Sequence, residues 1–301
     1  MMLLAVYGVA SVFLLCACLI MALMPRHYRK GLAGLNIAAA LAALGIAGLT
    51  SGIYFNHDGY FGDFWTATEA LNKASDGFLS SVDYFNPIGP VYSYVYGLAV
   101  MINPTPTAST VMHAGAIAAA LSSLMAIGML WKRLSFLGLT IVLVSVVTVA
   151  VSGRGNGELL KDTAMHFLAP YNRWAWALFI PVAVRLSLPN NGRAFFGVII
   201  LGFAIAMLLL TKVTYGSAAL GLIVARVILL PGTWRELPGI LGALGITLAA
   251  IEITTGQVTA HLNDLALTAS LDLSGLRIPK LFSQLGEMVL FSVVAIIAYL
   301  V

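Results

Sequence analysis

Charge is what this chain has least of. Of its 301 residues only 9% are Asp, Glu, Lys or Arg, while 60% are hydrophobic; a soluble domain carries about 25% charged residues. That scarcity excludes an ordinary water-soluble domain, and the small excess of cations, +4 overall, makes no basic face for nucleic acid because it is divided among short turns. Cysteine is almost absent. Cys16 and Cys18 fall in the first apolar run, two apart on a helix and so on different faces, which argues for packing rather than a disulfide or a metal site. No internal repeat is evident, so sequence symmetry lends nothing to an inverted-repeat transporter. Nor is there a phosphate-cradling loop. Gly153, Gly155 and Gly157 are spaced as G-x-G-x-G, but no strand precedes them.

What is present is a succession of apolar runs of the length that crosses a bilayer, about 17–25 residues each. They predict an all-α fold, a polytopic membrane helix bundle of about 8–9 spans forming a single integral membrane domain over 1–301. The spans are expected at 2–24, 32–55, 109–131, 135–153, 173–187, 194–211, 215–231 and 237–255. A final run, 286–301, is short and has no polar flank, which suggests a partial chain. The first run is too long, and too weakly cationic on its N-terminal side, for a cleavable signal peptide.

The runs leave three polar loops, at 56–108, 154–172 and 256–285. The stretch 90–103 is either a short span or a helix lying in the interface, where Tyr92, Tyr94 and Tyr96 would be at home. Taking it as interfacial puts the turns at 25–31, 131–134, 185–193 and 226–236 on one side, with nine cations and one acid, Glu236; the other side then holds seven cations and eleven acids. Lys and Arg near span ends mark the cytoplasmic side. The three polar loops therefore face outward, from a plasma membrane that the resemblance below makes a bacterial inner membrane.

The first polar loop concentrates the chemistry. Residues 56–90 carry five of the twelve acids, Asp58, Asp63, Glu69, Asp76 and Asp83, against one cation, Lys73, and are rich in aromatics. Asp58 and Asp63 lie just past the second span, where a carboxylate could serve as a general base or hold a divalent cation beside a phosphate. The apolar spacing over 63–74 is helical, and Asp63 could equally be that helix's N-cap. Asp83 is either functional or a turn former before Pro-Ile-Gly-Pro. In the second loop, His166 is a candidate acid/base or phosphate ligand. Tyr171, Asn172 and Arg173 open the next span; Arg173 suits a phosphate but also a snorkelling role. Lys212, near the outer end of its span, is an ionisable group close to the apolar core, where such groups are costly and often functional. Glu252 is read in the same way, and His113 as a packed polar residue. Glu69 and Asp76 read as solvated surface.

The acidic loop, the helical DF-x(5)-A-L stretch beginning at Asp63, and VDYFNPIGPVYSYVYGLAV with Asp83 resemble the first extracytoplasmic loop of the GT-C superfamily; Tyr171-Asn172-Arg173 at the start of a span is a further similarity. The resemblance covers about 60–230. Two departures stand: the loop follows the second span rather than the first, and family members commonly run beyond this length. The resemblance implies an integral-membrane glycosyltransferase with juxtamembrane helices in its first outer loop. It implies a polyprenyl-phosphate-sugar lipid donor and a glycan, lipid or protein acceptor, with membrane lipids as surroundings and no nucleic acid. A first-loop aspartate, Asp63 or Asp58 with Asp83 as a further candidate, would be the base at the extracytoplasmic face. Arg173, Lys212, His166, Asn172 and Tyr171 would bind the donor phosphate. No cofactor is fixed by it, and a divalent cation is compatible. A multi-span lipid or glycan transporter, or a polysaccharide polymerase or ligase, is the alternative, distinguished by ionisable groups near the midplane.

Overall fold

The computed structural model describes residues 55–56, 61–102, 108–151, 165–166, 170–189 and 195–271. The expected span 2–24, all of 32–55 but its last residue, and the run 286–301 lie outside them, as do Asp58 and most of the second polar loop. Among the described residues the fold is helical: α1 (Phe61–Ser75), α2 (Pro90–Ile102), α3 (Ala108–Leu130), α4 (Phe136–Val151), α5 (Pro170–Ser187), α6 (Phe195–Thr211), α7 (Val213–Leu229), α8 (Leu237–Thr255) and α9 (Gln257–Leu271). A 3-10 turn, Thr233–Glu236, leads into α8, and one two-residue parallel pair joins β1 (Phe55–Asn56) to β2 (Met165–His166).

Two stretches, His113–Leu130 and Thr233–Thr255, are long and apolar enough to cross a membrane. The second has little protein cover: Ile246 and Ile253 are 72% and 84% exposed. The uniform apolarity that predicts these helices also shapes their packing. Small residues let backbones meet, as at Gly202, where a Cβ would lie 2.8 Å from that of Ala243 and collide with the Ile240 carbonyl. Helices α6 and α8 pack on each other more extensively than any other pair of the described elements.

Long-range contacts fix the direction of each helix. Arg133 just after α3, Arg185 in the last turn of α5 and Arg226 in the last turn of α7 all bond Glu236, which immediately precedes α8. That is the arginine end of the bundle. Asn172 in the first turn of α5 meets Lys212 at the α6–α7 corner, and Tyr94 of α2 bonds Gln257 at the start of α9. That is the aromatic end. Helices α3, α5 and α7 thus run toward the arginine end, and α6 and α8 run back.

Helix α2 enters beside the C-terminus of α6, because Gly89 sits on the Leu210 and Thr211 carbonyls. Thirteen residues at 1.5 Å each reach about 20 Å, against a hydrocarbon core of about 30 Å.

Several element bounds differ from the sequence expectation. Helix α1 begins at Phe61, so Asp63 is its third residue rather than its N-cap; the apolar period read over 63–74 extends one half-turn further back. Residues 257–271, read as loop because of their polar content, form α9. Helix α5 begins at Pro170, which puts Tyr171, Asn172 and Arg173 in its first turn; proline suits a helix start because its missing N–H has no intrahelical partner there. Arg185 lies buried in the last turn of that same helix rather than in a loop.

Candidate functional site

At the aromatic end the chain gives Lys212 an unusual position. It is the only residue between α6 and α7, in extended conformation with φ −159°. Helix α7 turns back tightly enough that a Cβ on Gly216 would lie 2.7 Å from Leu209 Cα. The corner leaves the ammonium part-buried rather than projecting into solvent. Lys212 Nζ donates to Asn172 Oδ1 and lies 4.8 Å from the centre of the Tyr171 ring. A cation over an aromatic face is worth about 0.5–2 kcal/mol, the more the drier the site.

Behind this pair stands a buried aromatic wall. Tyr92 packs edge-on against Tyr171 with centroids 5.7 Å apart, and against Tyr96 at 4.8 Å. Trp174 lies 5.3 Å from Tyr92 and 5.4 Å from Tyr96. The Tyr96 hydroxyl donates to the Tyr92 hydroxyl at 3.1 Å. On its other side Trp176 of α5 packs against Tyr215 of α7 at 5.3 Å. These rings hold the start of α5, and with it Asn172, against the α6–α7 corner. Tyr171, Asn172 and Lys212 are thereby brought together across forty residues of sequence. Arg173 follows Asn172 on the same turn, with its side chain part-buried.

The first loop is fastened to this corner. Gly89 has φ +127°, a conformation that disfavours any other L-residue, and a Cβ there would strike the Leu210 carbonyl and lie 3.1 Å from that of Thr211. The turn before it is locked from three directions. Asn86 donates from Nδ2 to Ser80 Oγ at 2.7 Å and from its backbone N–H to Asp264 Oδ2 at 2.9 Å. The Ile88 N–H donates to Asn86 Oδ1 at 3.1 Å. Gln257 donates to the Ser80 carbonyl at 3.0 Å and accepts from the Tyr94 hydroxyl. Sequence reasoning missed Asn86, Gln257 and Asp264. The Asn-Pro pair was a visible turn signal, but its partners lie in α9 and at its start, more than 170 residues away.

Other candidates take different places. The Asp83 carboxylate accepts the Leu79 N–H at 2.6 Å, while its own N–H donates to the Leu79 carbonyl at 2.9 Å. It holds a turn, and no contact among the described residues joins it to the Lys212 group. The β1–β2 pair sets the His166 backbone opposite Asn56, tying the second polar loop to the chain two residues before Asp58. Asp63 is placed near the start of α1, which packs on α2. Glu252 caps α9: it accepts from the Thr259 N–H at 3.0 Å and from the Thr259 hydroxyl at 2.7 Å.

His261 in α9 is buried, with neither ring nitrogen hydrogen-bonded. Burial holds its pKa below the ordinary histidine value, opposed by the nearby Asn86 backbone and the Asp264 carboxylate. Among the described residues no three His, Cys, Asp or Glu side chains assemble as a metal site. Comparison with known proteins finds no matching family model, no matching curated protein and no matching solved structure.

Proposed function

We propose that this chain is a multi-pass membrane glycosyltransferase of the GT-C type, working at the extracytoplasmic face of a bacterial inner membrane. It moves a sugar from a polyprenyl-phosphate donor to a glycan, lipid or protein acceptor. The observation that carries the reading is the corner at Lys212. A part-buried cation, oriented by Asn172 and Tyr171, stands where the first-loop turn is seated on the end of α6. The apolar outer surface of α8 gives lipid something to cover, and in the long apolar helices α3–α8 the charged side chains among the described residues stand near helix ends rather than midway. That distribution suits an enzyme at the interface better than a transporter, which needs polar groups at the midplane.

The chemistry would run as follows. The Lys212 ammonium, with Arg173 on the adjoining helix turn, binds the donor phosphate and stabilises the charge that grows as the bond between the anomeric carbon and phosphate oxygen breaks. The acceptor hydroxyl attacks that carbon from the opposite face, its oxygen forming the new bond. Its proton passes to a first-loop carboxylate, Asp63 or Asp58, and the polyprenyl phosphate leaves with the electron pair, inverting the anomeric centre. Asp83 is the weaker candidate for the base, since its carboxylate is engaged by the Leu79 N–H.

The test is sugar transfer by the purified full chain from a panel of polyprenyl-phosphate-sugars. Lys212→Met should lower turnover by about 100-fold, the usual effect of losing one charge-stabilising donor. Asp63→Asn or Asp58→Asn should abolish it, and a chelator arm reads any metal requirement. Transfer undiminished in Lys212→Met would remove Lys212 from the donor site; no transfer from any donor would sink the class.

A further inference from the structure

The arginine end holds more positive charge than it neutralises. Three guanidinium groups converge on one carboxylate: Arg185 Nη2 lies 2.8 Å from Glu236 Oε1, Arg133 Nη2 3.3 Å from the same oxygen, and Arg226 Nη2 3.0 Å from Oε2. All four side chains are at least nine-tenths buried. Glu236 has given both oxygens, and the group retains two positive charges. Backbone carbonyls take part of the remainder: Arg226 donates to Leu186 at 2.6 Å and to Leu188, and Arg133 donates to Pro189 at 2.9 Å. Among the described residues, four buried donors still lack a partner: Nε and Nη1 of Arg185, and Nε of Arg133 and of Arg226. An unmatched charge in a poorly solvated place is expensive, and buried donors are rarely left unmade. Burial and the neighbouring Arg185 both push the Arg133 pKa below its ordinary value.

We propose that the Arg133–Arg185–Arg226 cluster is a binding site for a phosphate group, separate from the sugar-transfer site at the opposite end of the bundle. Guanidinium forks match phosphate oxygens in geometry and charge. Phosphate oxygens would take unmet donors of the cluster and bring the group close to neutrality. Arg133 is the arm that opens: its ion pair is the longest of the three, and its other hold is a backbone carbonyl at the exposed Pro189. The phosphate can come from an anionic lipid headgroup or from solution. The surroundings suit a headgroup, since Trp131 and Trp234 are exposed here with Lys132 and Arg235 close over their rings. Aromatic rings and cations of this kind sit at headgroup level.

Thermal unfolding of the purified full chain in neutral detergent tests this, with inorganic phosphate in one arm against chloride at matched ionic strength, and phosphatidylglycerol in the other. A ligand well above its Kd should raise the midpoint by about 5 °C. The rise should be at least halved in Arg133→Gln and kept in Lys132→Gln. Should Arg133→Gln not fold, Arg133→Lys keeps the charge without the planar fork and should also weaken the rise. A rise with phosphatidylglycerol alone makes the source a lipid headgroup; a rise with both makes free phosphate sufficient. The proposal fails if neither ligand raises the midpoint, if Arg133→Gln and Arg133→Lys respond like the wild type, or if Lys132→Gln loses the rise equally, which would mean diffuse surface attraction.

Discussion

The two ends of the bundle handle buried cations in opposite ways. At the arginine end three guanidiniums lock four elements onto one carboxylate, Glu236. At the aromatic end a single ammonium, Lys212, has an amide oxygen and a ring face as neighbours. The first arrangement ties three helix ends to one anion. The second sets its ammonium against an amide oxygen and an aromatic face, the arrangement on which the proposed donor site rests. Under the proposed function, each end should fail in its own assay.

The sharpest break comes at Glu236. Replacing it with Gln leaves three buried guanidiniums with no counter-charge, and removing one partner of a buried ion pair costs about 3–5 kcal/mol. Chemical or thermal unfolding of Glu236→Gln should therefore show a severe loss of stability. Lys212→Met should do the reverse, sparing the unfolding midpoint while lowering transfer. If Lys212→Met unfolds the chain as badly as Glu236→Gln, the two ends do not differ in kind.

A smaller effect sharpens the aromatic side. Gly89→Ala puts a methyl against the Leu210 carbonyl at a positive φ, and must either strain the turn or lift it off α6. Overpacking and backbone strain together cost on the order of 2–3 kcal/mol. Because the turn rests beside Lys212, the variant should lose transfer even at temperatures where it remains folded by circular dichroism. Gly77→Ala, also at positive φ but with open space around it, should keep transfer at those temperatures.

Much of the helical layout was legible in the sequence, and the reason is local. Residues 237–255 form an apolar run between Pro238 at its start and Gly256 just past its end, and the helix has those bounds. Lys212 stood out because a cation bordering apolar runs is rare. The grouping of Arg133, Arg185, Arg226 and Glu236 on one side followed from counting span ends. What could not be read was which of these residues touch. The Arg133–Glu236 pair spans 103 positions, and no spacing rule reaches that far. Helix α9 was missed because its polar side resembles loop composition; that polarity includes Gln257 and Asp264, which hold the first-loop turn.

The mildest prediction concerns that same lock. His261 is buried against the Asn86–Asp264 contact and its pKa is depressed. In the unfolded chain a histidine titrates near 6.5. As pH falls through that value the unfolded state takes up a proton that the folded state declines, so the equilibrium shifts toward unfolding. The stabilisation is complete above about pH 6.5 and is lost progressively down to the lower pKa of the fold. The Asp264 carboxylate opposes the shift, which keeps the effect small. The informative quantity is the difference between wild type and His261→Gln. Unfolding midpoints measured from neutral to mildly acidic pH should fall less steeply in the variant. Parallel curves would mean that His261 is reached by solvent, and that the first loop is held less tightly than its hydrogen bonds to α9 imply.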